Sequence, residues 1–368
     1  MEVQRKMTKQ FDFVKFFKKS LIISACIMLA GIIVTCIFGV NLDIDFSGGS
    51  RFTYSYTGDI DTSAVEKTLK DSLGIDADVT LSSDVSGSSK KLVITCTDDI
   101  TSAIDEDILE SILKEAEAAE TEKSDNASSS EDTSSDTSST TESEETVEEE
   151  VTSEAMVDIQ NALTHVLKTS FKDNSFELSL SNTVNPSLAG SFFIKALVAV
   201  ALAAIFVIIY ISIRFRKIGG VSAGVSALVA LIHDVIIAFF ACVVFGLEID
   251  TNFFAVVLTL FGYSLNDTIV IFDRVRENKK YYPSFTVREQ VNKSVNETLA
   301  RSIMTSLTTF AAITAIVVVS EGFGMTSLRS FAIPMAIGVI SGCYSSVFLS
   351  GPIWVIWCEH RPEKKKKK

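Results

Sequence analysis

The chain has 368 residues, of which 47% are hydrophobic, with a mean hydropathy of +0.32 and a formal charge of −13. Of its 33 basic and 46 acidic residues, 9 and 33 lie between Asn41 and Gly190, leaving 24 and 13 elsewhere. An acidic block set in a basic, apolar remainder is the pattern of one exported domain flanked by cytoplasm-facing loops. It argues against a nucleic-acid binder, whose basic residues would line a patch rather than gather in one tail, Lys364–Lys368.

Residues 1–19 read as a cytoplasmic N-terminus carrying Lys15, Lys18 and Lys19, followed by a first span over residues 20–40 built on the apolar run Leu21–Val40. The run is too long for a signal-peptide core, and no small-x-small site precedes Asp43, so it reads as an anchor. Residues 41–190 read as an α+β domain. Asp45-Phe46-Ser47-Gly48-Gly49 leads into the alternating Phe52, Tyr54 and Tyr56, a strand. Asp61–Leu73 reads as a helix, with Ser63 and Glu66 as a capping box and Gly74 as its stop. Strands near Asp78–Leu81 and Lys91–Thr97 flank a turn at Ser86–Ser89. A second helix is expected from near Ser102, with Ile104, Ile108 and Ile112 on one face. A Ser/Thr/Glu/Asp tract at about residues 120–150 interrupts it, too poor in apolar residues to offset the entropy of ordering, and reads as a disordered insertion. Helical spacing resumes at Val157, Leu163, Val166 and Leu167, and a last strand, Ser175–Thr183, places Phe176, Leu178 and Leu180 on one face. Strand–helix–strand–strand–helix–strand is the ferredoxin-like split pattern.

Residues 191–357 contain five further apolar runs: Phe192–Ile213, Val221–Phe245, Phe253–Phe272, Ser302–Ser320 and Phe331–Trp357. Each is close to the roughly 20 residues a spanning helix needs. Arg214, Arg216 and Lys217 follow the second span and Arg274, Arg276, Lys279 and Lys280 the fourth, while residues 358–368 form a basic tail. All basic loops share one side if both termini are cytoplasmic and residues 41–190 extracytoplasmic, in a multi-pass cell-membrane protein. Trp354 and Trp357 near the last exit read as interfacial anchors or lipid-facing packing, and Gly338-x-x-x-Gly342 as a helix-packing signal. Five of six cysteines lie in or beside apolar runs and Cys96 alone lies in the acidic block, so that block holds no internal disulfide, and no zinc-type spacing occurs.

Ionisable groups at bilayer depth cost about 2.5–3.5 kcal/mol on insertion scales, so each needs a reason. Asp267 lies inside Gly262-Tyr263-Ser264-Leu265-Asn266-Asp267-Thr268 in the fourth span, Arg301 opens the fifth ahead of Thr305, Thr308 and Thr309, and His233-Asp234 sits midway in the third. Tyr263, Asp267, Val270 and Arg274 share one helical face, as do Arg301, Thr305 and Thr308. An aspartate facing an arginine stays ionised, and weakening the pairing favours the neutral acid, so the two together form a protonatable switch. A static buried ion pair fits the same spacing, and Asp234 also fits a role in capping or contacting a nearby loop. Ser264, Asn266, Thr305 and Thr308 supply supporting polar groups. With no nucleotide-binding glycine loop, metal set or nucleophile–base pair, no enzyme activity and no cofactor are expected.

These residues also carry a resemblance. Gly262-Tyr263-Ser264-Leu265-Asn266-Asp267-Thr268 running into Phe272-Asp273-Arg274-Val275-Arg276-Glu277, then Arg301-Ser302 with Thr305-Ser306-Leu307-Thr308-Thr309, resembles the signature of the SecF family of protein-export membrane proteins. Asp45-Phe46-x-Gly48-Gly49 and Leu231-Ile232-His233-Asp234 are similar to its other motifs, and the likeness covers the chain outside about residues 120–150. It implies six spans of resistance-nodulation-division type, partnership with SecD on a separate chain and with the SecYEG channel, with YidC as a further partner, and proton-driven movement of preproteins. It also implies that Asp267 and Arg301 lie on the proton pathway. Two rival readings are half of a proton-driven small-molecule or lipid exporter and a non-transporting membrane scaffold. The first would normally need twelve spans; the second leaves Asp267 and Arg301 unexplained.

Overall fold

The structure is a computed structural model that describes residues 11–83, 90–96, 100, 104, 108–114, 145–172, 174–323 and 325–360. The turn at Ser86–Ser89, the helix start near Ser102, most of the acidic tract and the lysine tail lie outside these residues. The chain divides into two units, Ile44–Ser191 and Met1–Asp43 with Phe192–Lys368. The first helix, α1 (Phe13–Phe38), belongs to the second unit and is capped by Asp12, whose carboxylate accepts from the Lys15 N–H.

The α+β unit runs α2 (Ile44–Ser47), β1 (Gly49–Tyr56), α3 (Thr62–Leu73), β2 (Asp78–Ser83), β3 (Lys90–Cys96), α4 (Glu145–Ser170) and β4 (Phe176–Val184), with residues 108–114 also helical. Its sheet has the order β2-β3-β1-β4 with every pair antiparallel, the ferredoxin-like arrangement. Phe52, Tyr54 and Tyr56 turn one face of β1 onto Leu69 of α3, Leu92 and Ile94 of β3, and Leu163 of α4. The glycines of the Asp45-Phe46-Ser47-Gly48-Gly49 motif have φ of +81° and +124°, which a side chain rarely tolerates. They let the chain turn from α2 straight into β1.

Four local expectations change. The cap of α3 is Asp61, whose carboxylate accepts from the Ser63 N–H, while Glu66 reaches across to the Val79 N–H; a carboxylate at the N-cap leaves no opening for the Ser63 box. Val157 and Ile108 are exposed, because the buried face of α4 runs through Met156, Ile159, Leu163 and Leu167, and Ile104 and Ile112 alone of the isoleucine triplet meet the core. α4 starts at Glu145, so residues 145–150 are helical; glutamate is a good helix former and prolongs a helix already held by its apolar face. In β4 a bulge shifts the register between Thr53 and Tyr54 of β1, pairing Tyr54 with Leu178 but Thr53 with Leu180. One extra residue moves Leu180 to the opposite face, where it is exposed, and leaves Ser181 to accept from Gln160 on the helix side.

The helical unit continues with α5 (Pro186–Arg214), α6 (Gly220–Val244), α7 (Thr251–Tyr281), α8 (Val287–Gly322), α9 (Thr326–Ser345), a π-helical segment Ser346–Ser350, and α10 (Gly351–Glu359). Among the described residues six stretches are long and apolar enough to cross a membrane, the last being α9 through α10. The chain is thus a multi-pass membrane protein. α7 and α8 extend well past their apolar runs, so Arg274, Arg276, Lys279 and Lys280 sit on helix rather than loop, and Arg301 lies mid-helix rather than at an opening. Thr286 and Glu289 form the capping box that starts α8. Leu42 pairs with Ile249 in a parallel bridge, tying the end of α1 to the α6–α7 connection. Trp354 is buried and donates to Ser222, so it belongs to the core and is no interfacial anchor.

Candidate functional site

Along α7 and α9 a polar stretch separates two apolar regions. On α7, Val256, Leu260 and Phe261 pack toward one end and Ile271, Phe272 and Val275 toward the other; on α9 and its continuation, Ala336 and Val339 lie before the stretch and Val347 and Trp354 after it. Buried between them are Asp234, Ser264, Asp267, Thr268, Ser341, Ser345 and Ser346.

Asp234 is the best-bonded of these. Its Oδ1 accepts from Ser341 Oγ at 2.7 Å, its Oδ2 accepts from Ser264 Oγ at 2.8 Å and Ser345 Oγ at 2.7 Å, and His233 Nδ1 lies 3.3 Å from Oδ1. Three helices meet there: α6 gives the acid, α7 one hydroxyl, α9 two at i and i+4. Glycine makes the approach possible, since a Cβ on Gly342 would lie 3.1 Å from Ser264 Cβ and one on Gly338 only 2.5 Å from Leu260 Cδ1. The Gly338/Gly342 signal therefore packs α9 onto α7. The π-helical segment that follows changes the helical phase, so that Ser345 and Ser346 are both fully buried; Ser346 Oγ donates to the Ser264 carbonyl at 3.3 Å and lies 3.0 Å from Thr268 Oγ1.

Asp267 stands one position from Thr268 but faces α8. It is buried, and its Oδ2 makes no hydrogen bond of good geometry among the described residues; the Ser302 hydroxyl, also buried, is the side-chain donor that lies near enough to act on the carboxylate. Nearby, Tyr263 donates to Ser306 at 3.1 Å across the α7–α8 contact. Arg301 and Asp267 form no ion pair; Arg301 is exposed, yet near enough for its charge to act on the carboxylate. Gly262, Asn266 and Thr308 are exposed too, and Thr305 is half-buried, with Thr305 and Thr308 bonding back to their own helix. A Cβ on Gly262 would meet nothing within 4 Å, so no contact among the described residues explains that glycine.

Asp273 and Arg274 lie apart from this seam. Arg274 binds Glu277 and Glu297 at 2.6 Å each, Asn278 donates to Glu297 and Ser294, and Asp273 meets Arg276 and, at 3.4 Å, Arg214. They latch α7 to α8 and α5. Residues that sequence reasoning left out of the site are Ser341, Ser345, Ser346, Ser302 and Ser306; the i, i+4 pair Ser341/Ser345 beside Gly342 was the available signal.

The family model described as "Protein export membrane protein SecD/SecF, C-terminal" matches residues 162–360. A protein translocase subunit SecF of Alicyclobacillus acidocaldarius is 31% identical over 95% of this chain and 94% of its own length. The chain belongs to the SecF family. A SecF of Sebaldella termitidis is 38% identical over 53% of this chain and 60% of its own length. The SecDF subunit of Bacillus subtilis is 31% identical over 95% of this chain, which spans 38% of that protein. The crystal structure of SecDF from Thermus thermophilus, described as a translocon-associated membrane protein, superposes with a TM-score of 0.65 at 24% identity, over 95% of this chain and 39% of that one. The likeness to that structure carries the fold: a SecF-type bundle with one α+β unit set between its first and second spans.

Proposed function

We propose that the chain is a protein-translocase subunit that works with SecD beside the SecYEG channel and uses proton movement through Asp267 and Arg301 to drive preproteins across the membrane. The observation that supports this most directly is a buried carboxylate with one oxygen unsatisfied, set behind an exposed polar face. Arg301 and Asn266 would be costly against lipid tails, so this face asks for protein or water rather than hydrocarbon. SecD is the partner whose spans would cover it.

A proton reaching Asp267 Oδ2 fills the open acceptor and removes the charge that Arg301 attends. Loss of that proton restores the attraction, and the two states favour different placements of α7 against α8 and the covering partner. The basic ends of α7 and α8 belong on the cytoplasmic side on this reading, with both termini inside and residues 41–190 outside. Affinity purification of the full chain from mild detergent tests the partnership. SecD and SecY are expected in the eluate at consistent ratios to the chain; a chain abundant in the membrane that brings down neither would overturn the reading.

A further inference from the structure

We infer that His233 and Asp234 form a second proton-binding site, separate from Asp267 and enclosed within this chain alone. Both residues are buried, at 4% and 0% exposure. The Asp234 carboxylate is saturated by three serine hydroxyls and the imidazole Nδ1, yet it has no lysine or arginine partner among the described residues. An ionised Asp234 beside a neutral imidazole leaves one uncompensated negative charge inside an apolar bundle, which is expensive. His233 supplies the remedy, because its Nε2 is buried with no hydrogen-bond partner.

The chemistry is a simple proton transfer. A hydronium ion gives its proton to the Nε2 lone pair and leaves as water; the new N–H makes an imidazolium, and the pair goes from a charge of −1 to zero. Nδ1 keeps its hydrogen toward Asp234 in both states, so the carboxylate fixes the tautomer. An aromatic ring lies alongside. Tyr344, whose ring centre is 6.0 Å from that of His233, shares its OH with Ser20 at 2.6 Å and Ser24 at 3.1 Å on α1.

The other titratable or charged groups on the elements around the pair lie mostly toward the helix ends. α6 itself adds Cys242; α7 contributes Tyr263 and Asp267 and, toward its C-terminal end, Asp273, Arg274, Arg276, Glu277, Lys279, Lys280 and Tyr281; α9 Arg329, Cys343 and Tyr344; α1 the exposed Lys15, Lys18, Lys19, Cys26 and Cys36; α5 Lys195, Tyr210 and Arg214; α10 Cys358 and Glu359; and the π-helical segment none. Asp267 is the one buried acid among them, and its titration must be separated from that of the pair.

The chain has three histidines, His165, His233 and His360. The full chain carrying His165→Gln and His360→Gln, labelled with nitrogen-15 histidine and held in lipid nanodiscs, therefore reports His233 alone. As the pH falls from about 9 to about 5, the Nε2 signal is expected to pass from bare nitrogen to N–H in one step, with Nδ1 protonated throughout. Asp234→Asn should move that step by about tenfold or more in proton concentration, and Asp267→Asn by less than about threefold. An Nε2 signal unchanged across the range overturns the site, as does a spectrum that responds to sodium at fixed pH rather than to protons. The parent titration decides the matter even if Asp234→Asn fails to fold. Because it reads a nitrogen and not export, it stands or falls apart from the role of Asp267.

Discussion

Removing the Asp234 carboxylate should loosen the bundle more than any neighbouring polar change. Asp234→Ala strands three serine hydroxyls that now donate at 2.7–2.8 Å. Side-chain hydrogen bonds between membrane helices average about 0.6 kcal/mol and reach about 1.7, so three of them are worth roughly 2–5 kcal/mol. Ser345 already has a fallback, the Gly342 carbonyl at 3.3 Å, and helical serines can bond back along their own helix, which places the expected loss in the lower half of that range. Asp234→Asn keeps the shape but turns one acceptor into a donor that faces other donors, and should cost about half as much. Thr308→Val is the control, since Thr308 is exposed and bonds only within α8. Unfolding in mixed micelles at graded denaturing detergent measures all three. If Asp234→Ala falls within about 0.5 kcal/mol of the parent, the hydroxyl knot does not hold α6, α7 and α9 together.

Two other outcomes follow from the α+β unit and the helix ends. Burial pushes the Tyr54 phenol from 10.0 up to about 12 against a hydrogen bond with Thr164 that pulls it down; the folded state then holds a proton the unfolded state releases, so stability is intact below about pH 10 and falls by roughly 2–3 kcal/mol between about pH 10 and about 12. Tyr54→Phe should flatten that part of the unfolding profile followed by circular dichroism, and equal profiles for the two proteins would remove the claim. For topology, native Cys96 is a poor probe because it is buried at 1% exposure; in a cysteine-free background, Lys67→Cys should react with an impermeant thiol reagent in intact cells and Lys279→Cys should not, and the reverse pattern would invert the orientation.

The spans were legible because the bilayer demands about 20 apolar residues in a row, and composition alone reveals that. Asp267 was legible for the same reason, as a charge that has no business at that depth. The environment of Asp234 was not, since its donors Ser264, Ser341 and Ser345 come from helices far away in the chain. A serine in an apolar helix gives no sign of whether it bonds its own backbone or a neighbour. Leu180 was misplaced by one bulged residue, which inverts a strand's alternation without changing its composition. The first turns of α8 were missed because Gln290, Ser294 and Thr298 are polar yet buried by packing, so hydropathy reads them as loop.

The claim at the centre is that Asp267 gains and loses a proton as part of export. Proteoliposomes holding the chain with SecD and SecYEG, under an imposed pH gradient, allow preprotein uptake and proton entry to be followed in one preparation. Asp267→Asn preserves size and hydrogen bonding, so the assembled complex should form while both uptake and proton entry are lost; Arg301→Lys, which keeps the charge without the planar fork, should impair both less completely. If the Asp267→Asn complex takes up preprotein and admits protons at the parental rate per assembled complex, Asp267 is a structural residue and the proton-driven account is contradicted.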